Sequence, residues 1–169
     1  MRQLIFLTGM PGSGKSTTGK LLAHKLGYEF IDLDAEIEKQ EKKSIKQVFE
    51  ERGESYFRDI ENKVLAHIIS DWKGDAVVSL GGGTVAFQNN LERVKYAGKL
   101  IYLEVKPHLL VERLKHETTN RPLLNTTDPA LKINLLLSLR ESFYRQSHFT
   151  VDANEKPDET VAKIVSVIA

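Results

Sequence analysis

Gln3-Leu-Ile-Phe-Leu-Thr8 runs directly into Gly9-Met-Pro-Gly12-Ser-Gly14-Lys15-Ser16-Thr17, and the reading of this junction decides the fold. The first segment, apolar and bounded by a glycine turn, reads as a strand. The second fits G-x-x-x-x-G-K-[ST] in the strand-to-helix setting that the pattern requires. Its glycines let successive N–H groups turn inward, and a helix opening at Lys15 adds the positive end of its dipole, so the loop makes a nest for a phosphate. Lys15 supplies a mobile charge for the β- and γ-oxygens of a nucleotide, and Ser16 offers a hydroxyl to Mg²⁺. Gly12, Ser13, Gly14, Lys15, Ser16 and Thr17 are the candidate nucleotide contacts.

Beyond the loop, apolar or β-branched runs at 28–32, 76–80, 99–104 and 149–152 alternate with amphipathic stretches at 15–26, 35–40, 45–52, 54–70, 91–96, 107–115, 130–147 and 157–168. Strands that are nearly all apolar and alternate with helices imply an α/β fold with a parallel sheet covered on both faces. Ligands of such sheets bind beyond the carboxyl ends of the strands. At 169 residues, without internal repeat or linker, the chain reads as one domain over 1–169. Basic residues number 24 and acidic ones 23, a balance unlike that of a nucleic-acid-binding surface. With no cysteine, there is no thiolate metal site or cysteine nucleophile. No apolar run approaches the ~20 residues of a membrane span, and the start of the chain reads as a strand instead of a signal peptide. The expectation is a cytoplasmic protein with neither nucleic-acid nor membrane partners.

Two further clusters follow strands. Asp32-Leu-Asp34 ends the second; the two carboxylates share a direction if strand geometry persists and diverge if a helix begins at Leu33. Phosphoryl transfer uses one carboxylate to hold metal and another to orient the attacking hydroxyl. The alternative is that one aspartate only N-caps a helix starting at Ala35. Gly81-Gly-Gly83 ends the third strand, and three glycines in a row imply either positive φ values or a ligand lying close against the backbone. No Asn-Lys-x-Asp guanine reader is present, the nearest string being Asn154-Glu-Lys-Pro-Asp158, so ATP is favoured over GTP. Asp71-Trp-Lys-Gly74 precedes the third strand and reads as a turn, with Trp72 partly exposed. The histidines at 24, 67, 108, 116 and 148 lack metal-ligand spacing and read mostly as helix-surface positions. Phe49, Phe57 and Tyr144 read as packing residues.

These clusters, together with Phe49-Glu-Glu-Arg-Gly53-Glu54-Ser-Tyr-Phe57-Arg58-Asp-Ile-Glu61, Arg121-Pro122-Leu123, Arg140 and Tyr144, resemble in order and spacing the shikimate kinases, small P-loop kinases of the nucleoside-monophosphate-kinase type. The resemblance spans essentially the whole chain. It implies a three-layer αβα sandwich around a five-stranded parallel sheet, substrate-binding helices over about 33–61 and a lid over about 116–128. It further implies a monomer that transfers the γ-phosphate of ATP to the 3-hydroxyl of shikimate with one Mg²⁺ ion. By the same resemblance Asp34 binds the ring hydroxyls and accepts or relays the proton of the hydroxyl that is phosphorylated, Asp32 holds Mg²⁺ through water, and Arg58 and Arg140 grip the substrate carboxylate. Gly81, Gly82 and Gly83 line that pocket, Arg121 closes over the transferring phosphate, and residues 153–157 receive adenine. Ser142 stands where the family commonly has proline. A gluconate kinase, a nucleoside-monophosphate kinase and a nucleotide-binding switch without transfer activity share the loop and sheet, and are the competing readings.

Overall fold

The computed structural model describes residues 2–116 and 127–169. Five parallel strands form one sheet in the order β2-β3-β1-β4-β5: β1 Leu4–Thr8, β2 Glu29–Asp32, β3 Ala76–Ser79, β4 Lys99–Glu104 and β5 Phe149–Asp152. The helices among the described residues are α1 Lys15–Leu26, α2 Leu33–Glu41, α3 Ile45–Asp71, α4 Asn90–Ala97, α5 Pro107–Lys115, α6 Pro129–Tyr144 and α7 Pro157–Ile168, with a 3-10 turn at Thr84–Ala86. The β1-to-β2 and β3-to-β4 crossovers run in opposite directions across the sheet, so the right-handedness of such connections puts α1 and α4 on opposite faces. Consistently, α1 packs against α7, and α3 packs against α4. The three inner strands are buried almost throughout, as their apolar composition requires, whereas the edge strands β2 and β5 each bury one residue fully, Ile31 and Val151.

Because the chain leaves β1 and β3 in opposite directions, a crevice opens between their carboxyl ends. Register delivers the site residues to it: Leu7 pairs with Ser79, and Ser79 with Asp32, so the phosphate loop, the aspartate pair and the glycine triplet emerge side by side.

Two helical expectations are refined. The stretches at 45–52 and 54–70 join into α3, kinked at Gly53, whose φ of 80° and ψ of 174° exclude helical geometry. The helix after β2 starts at Leu33 instead of Ala35, because the Asp32 carboxylate accepts from the N–H groups of Asp34 and Ala35 at 3.0 and 3.2 Å and caps it there. Among the histidines, His148 lies between α6 and β5, and its Nδ1 accepts the Leu100 N–H at 3.0 Å.

Gly98, between α4 and β4, is extended, so its backbone strains nothing, but a Cβ there would strike the Leu4 carbonyl of β1. Gly98→Ala is expected to cost about 2 kcal/mol or more, lowering Tm by about 4–8 °C. Gly74→Ala, where the nearest heavy atom to a new Cβ is Glu29 Oε1 at 3.9 Å, is the control. Equal melting of the two variants by calorimetry contradicts the packing argument.

Candidate active site

The phosphate loop has the backbone its composition anticipated. Gly12 and Gly14 take φ values of 83° and 85°, a region costly to any residue with a Cβ. Gly14 is the N-cap of α1, and no side chain caps it, which leaves the first-turn N–H groups for an incoming anion. The Lys15 ammonium is buried over the loop, donating to the carbonyls of Gly9 at 2.8 Å and Met10 at 3.0 Å.

At the first turn of α1 the Ser16 hydroxyl donates to Asp32 Oδ2 at 2.6 Å and lies 3.4 Å from Ser79 Oγ. Asp32 thus does two things at once, capping α2 with one oxygen and meeting Ser16 with the other. The two aspartates diverge, because helix geometry begins between them at Leu33, and Asp34 turns toward the glycine triplet: its Oδ1 lies 3.4 Å from where a Gly81 Cβ would sit. Ser79, which the sequence reading passed over, is a buried hydroxyl at the end of β3, and its position there is its only signal.

None of the triplet glycines has positive φ. Crowding explains them instead. A Cβ on Gly81 would sit 2.9 Å from Glu61 Oε2 and from Thr84 Oγ1; on Gly82, 2.9 Å from the Pro11 ring and 3.3 Å from Arg140 Nη1; on Gly83, 2.6 Å from Arg58 Nη2. The close approach is therefore by the protein's own side chains, and it gathers Asp34, Arg58 and Arg140 around one strip of backbone beside the phosphate loop.

Arg58 is 7% exposed and pairs with Glu61, 1% exposed, at 2.8 Å, while Glu54 lies 3.4 Å away on the other terminal nitrogen. The Phe87 ring covers the guanidinium at 4.1 Å, and Phe57, itself 4.7 Å from Phe49, lies at 5.2 Å. Arg140 is 6% exposed, and among the described residues no carboxylate lies within ion-pair distance of it. A buried guanidinium so placed can receive an anion, because an uncompensated buried charge is strongly destabilising. Glu61 stood within the motif quoted above, and its i+3 spacing from Arg58 was the available signal. Phe87 had none.

Tyr144 holds this arrangement from below. It is fully buried, stacks on Tyr102 with centroids 5.0 Å apart, and donates its hydroxyl to the Gly82 carbonyl. Burial pushes its phenol well above the usual value, against the opposing pull of Arg140, and burial raises Tyr102 to about 12.

On the other side of the loop a cleft of about 640 Å³ is lined by Gly12, Thr17, Arg113, Asn154 and Pro157 among others. Arg113 donates to the carbonyls of Ala153 and Asn154 at 2.9 and 3.2 Å, and Asn154 Oδ1 accepts the Lys106 N–H at 2.8 Å, so the 153–157 turn is tied to α5. Arg113 too lacked any sequence signal. Arg121 and most of the 116–128 segment lie outside the described residues.

A phosphate nest abutting a compact pocket of buried arginines and an aspartate is the arrangement of a P-loop kinase acting on a small acidic molecule. The sequence profile of the shikimate kinases matches residues 11–169. A shikimate kinase of Sulfurihydrogenibium sp. (strain YO3AOP1) is 41% identical over 165 residues, 97% of this chain and 96% of its own. The structure of shikimate kinase from Acinetobacter baumannii in complex with shikimate superimposes with a TM-score of 0.93 at 35% identity, over 99% of this chain and 93% of that one. A gluconokinase from Sinorhizobium meliloti 1021 shares the fold alone, with a TM-score of 0.65 at 20% identity over 98% and 92% of the two chains. The chain belongs to the shikimate kinase family, whose members are ATP-dependent kinases.

Both tyrosines stay neutral in the fold at a pH where an unfolded chain, ionising near 10, loses its phenol protons. Their contribution is complete below pH 10 and is lost as pH climbs toward 12, at up to about 1.4 kcal/mol per pH unit per group. Tyr102→Phe is expected to flatten the alkaline fall of stability measured by urea unfolding at pH 9 to 11. A fall as steep as in the parent chain contradicts the burial assignment.

Proposed function

We propose that this chain transfers the γ-phosphate of ATP to the 3-hydroxyl of shikimate, giving shikimate 3-phosphate and ADP, as one kinase domain acting as a cytoplasmic monomer in the route to aromatic amino acids. The single observation that carries the substrate is the buried Arg140, without a carboxylate partner among the described residues, beside Arg58 and Asp34 on the glycine triplet. Two guanidinium groups offer a planar carboxylate the forked donors that lysine lacks. The solved relative at 35% identity is described as a shikimate complex, which supports the same acid here.

In this reading the shikimate carboxylate lies between Arg58 and Arg140, and its 3-hydroxyl faces Asp34. The hydroxyl oxygen forms a bond to the γ-phosphorus as the bond from that phosphorus to the β,γ-bridging oxygen breaks. The hydroxyl proton passes to the Asp34 carboxylate, and the electron pair of the broken bond leaves on ADP. Little covalent work is asked of the protein, and positioning with charge neutralisation dominates. Lys15 moves from the loop carbonyls to the β- and γ-oxygens, Arg121 closes over them from the 116–128 lid, and a Gly81–Gly83 N–H supports the γ-phosphate. Gly12, Ser13, Gly14, Ser16 and Thr17 contact the remaining phosphate oxygens, and adenine takes the cleft between Arg113 and Pro157.

The Ser16 hydroxyl, the Asp32 carboxylate and the Ser79 hydroxyl are a hard oxygen set, close enough to bond one another, and they fit Mg²⁺ with part of its water shell retained. Ser16 would hold the ion directly and Asp32 through water. When bound with ATP, the ion neutralises charge on the β- and γ-oxygens.

Coupled measurement of ADP release with shikimate, gluconate, AMP and CMP tests the substrate. Turnover with shikimate alone is expected, and turnover with gluconate or a nucleotide monophosphate overturns the assignment. Asp34→Asn is expected to lower kcat at least about a hundredfold, with KM for ATP nearly unchanged. Near-normal turnover in that variant removes Asp34 from the proton's path.

A further inference from the structure

Thr84, the first residue after the glycine triplet, is fully buried, yet it carries a hydroxyl where the near-isosteric valine would keep the shape without it. Its Oγ1 donates to Glu61 Oε2 at 2.7 Å. Its backbone is fixed on both sides: its N–H donates to the Gly81 carbonyl at 3.2 Å, and its carbonyl accepts from Asn90 Nδ2 at 3.1 Å. The hydroxyl-to-carboxylate bond passes directly over Gly81, since a Cβ there would lie 2.9 Å from both of its oxygens.

The consequence falls on Arg58. Glu61 reaches Arg58 with Oε1 alone, at Nη1, because its other oxygen is taken by Thr84. A carboxylate free to rotate would engage a guanidinium with both oxygens in a parallel fork, the stronger geometry for the pair. Here that fork is prevented. Arg58 Nε is buried without a hydrogen-bond partner among the described residues, and Nη2 has only the long 3.4 Å contact to Glu54. Phe87 against the face of the guanidinium, at 4.1 Å, stops it from rolling to satisfy these donors elsewhere. A two-donor edge of a buried arginine is thus kept unspent beside Arg140.

We propose that Thr84 is a positioning residue for substrate binding: by holding one oxygen of Glu61 it restricts that carboxylate to a single contact with Arg58 and reserves the Nε–Nη2 edge for the carboxylate of the acid. This rests on the assignment of Arg58 to the acid made above. In this reading Thr84 contacts neither substrate nor nucleotide and acts only through Glu61.

Thr84→Val keeps the shape of the side chain and removes the donor, and Thr84→Ser keeps the donor. Thr84→Val is expected to raise KM for shikimate about tenfold, with kcat and KM for ATP within about twofold of the parent. Thr84→Ser is expected to restore it. The shikimate analogue whose carboxylate is reduced to a hydroxymethyl group is expected to bind the parent and Thr84→Val alike, because the reserved edge serves only the acid. Three results overturn the proposal: unchanged KM for shikimate in Thr84→Val, a parallel rise in KM for ATP, or an equal loss for the acid and its alcohol. Arg58→Ala separates the two levels. If it leaves shikimate affinity intact, the acid is not held there and both readings fall; if it weakens shikimate while Thr84→Val does not, Thr84 alone is excluded.

Discussion

Two guanidinium groups, each more than nine-tenths buried, lie against a strip of backbone that has no side chains of its own. Everything else in the acid pocket follows from the cost of that burial. A cation taken out of water must be compensated by hydrogen bonds and opposite charge, or the fold bears the deficit. Arg58 receives one close carboxylate, one aromatic face and one distant partner, while Arg140 has no carboxylate partner among the described residues. In the proposed reading an anionic ligand removes the deficit that remains, which makes affinity for an acid the other side of a local weakness in the fold. A Cβ on Gly81 would crowd Glu61 and Thr84, one on Gly82 the Pro11 ring, and one on Gly83 the Arg58 guanidinium, so any side chain on this strip displaces the groups around it. Tyr144 then fixes the strip by its hydrogen bond to Gly82.

The sheet brings this pocket to the phosphates. β1 and β3 are neighbours whose connections depart in opposite directions, so the loop after one and the triplet after the other share a crevice. Pro11 of the phosphate loop meets Gly82 of the triplet, and Ser16 meets Asp32 across the end of β2. Asp32 carries a double duty as helix cap and hydroxyl partner, which couples the start of α2, and with it the direction of Asp34, to the first turn of α1.

Much of this was legible in the sequence because it rests on local chemistry. The strand, glycine loop and lysine of the first seventeen residues define their own backbone, and the alternation of apolar runs with amphipathic stretches gives a parallel sheet. The aspartate pair was legible as a pair, but whether its members diverge depended on where α2 starts, and capping by Asp32 itself decides that. For the glycine triplet, neither positive φ nor a ligand against the backbone was the alternative that the structure shows: what comes close is Arg58, Arg140 and Glu61, contributed by helices distant in sequence. Arg58 and Arg140 carry no local mark that separates them from the surface Arg145, and resemblance to a family singled them out. Thr84, Phe87, Ser79 and Arg113 stayed silent because their roles exist only once β3, α3 and α5 are packed together. The bond from the Leu100 N–H to His148 was silent for the same reason, since it joins a strand to the residue before its neighbour.

The most direct measurement is a crystal structure of the chain with ADP and shikimate bound together. The account predicts the carboxylate of the acid between Arg58 and Arg140, each donating to it at about 3 Å, with the 3-hydroxyl turned toward Asp34 and the phosphate loop. An acid bound away from both arginines, or turned so that its carboxylate faces Asp34, would contradict it.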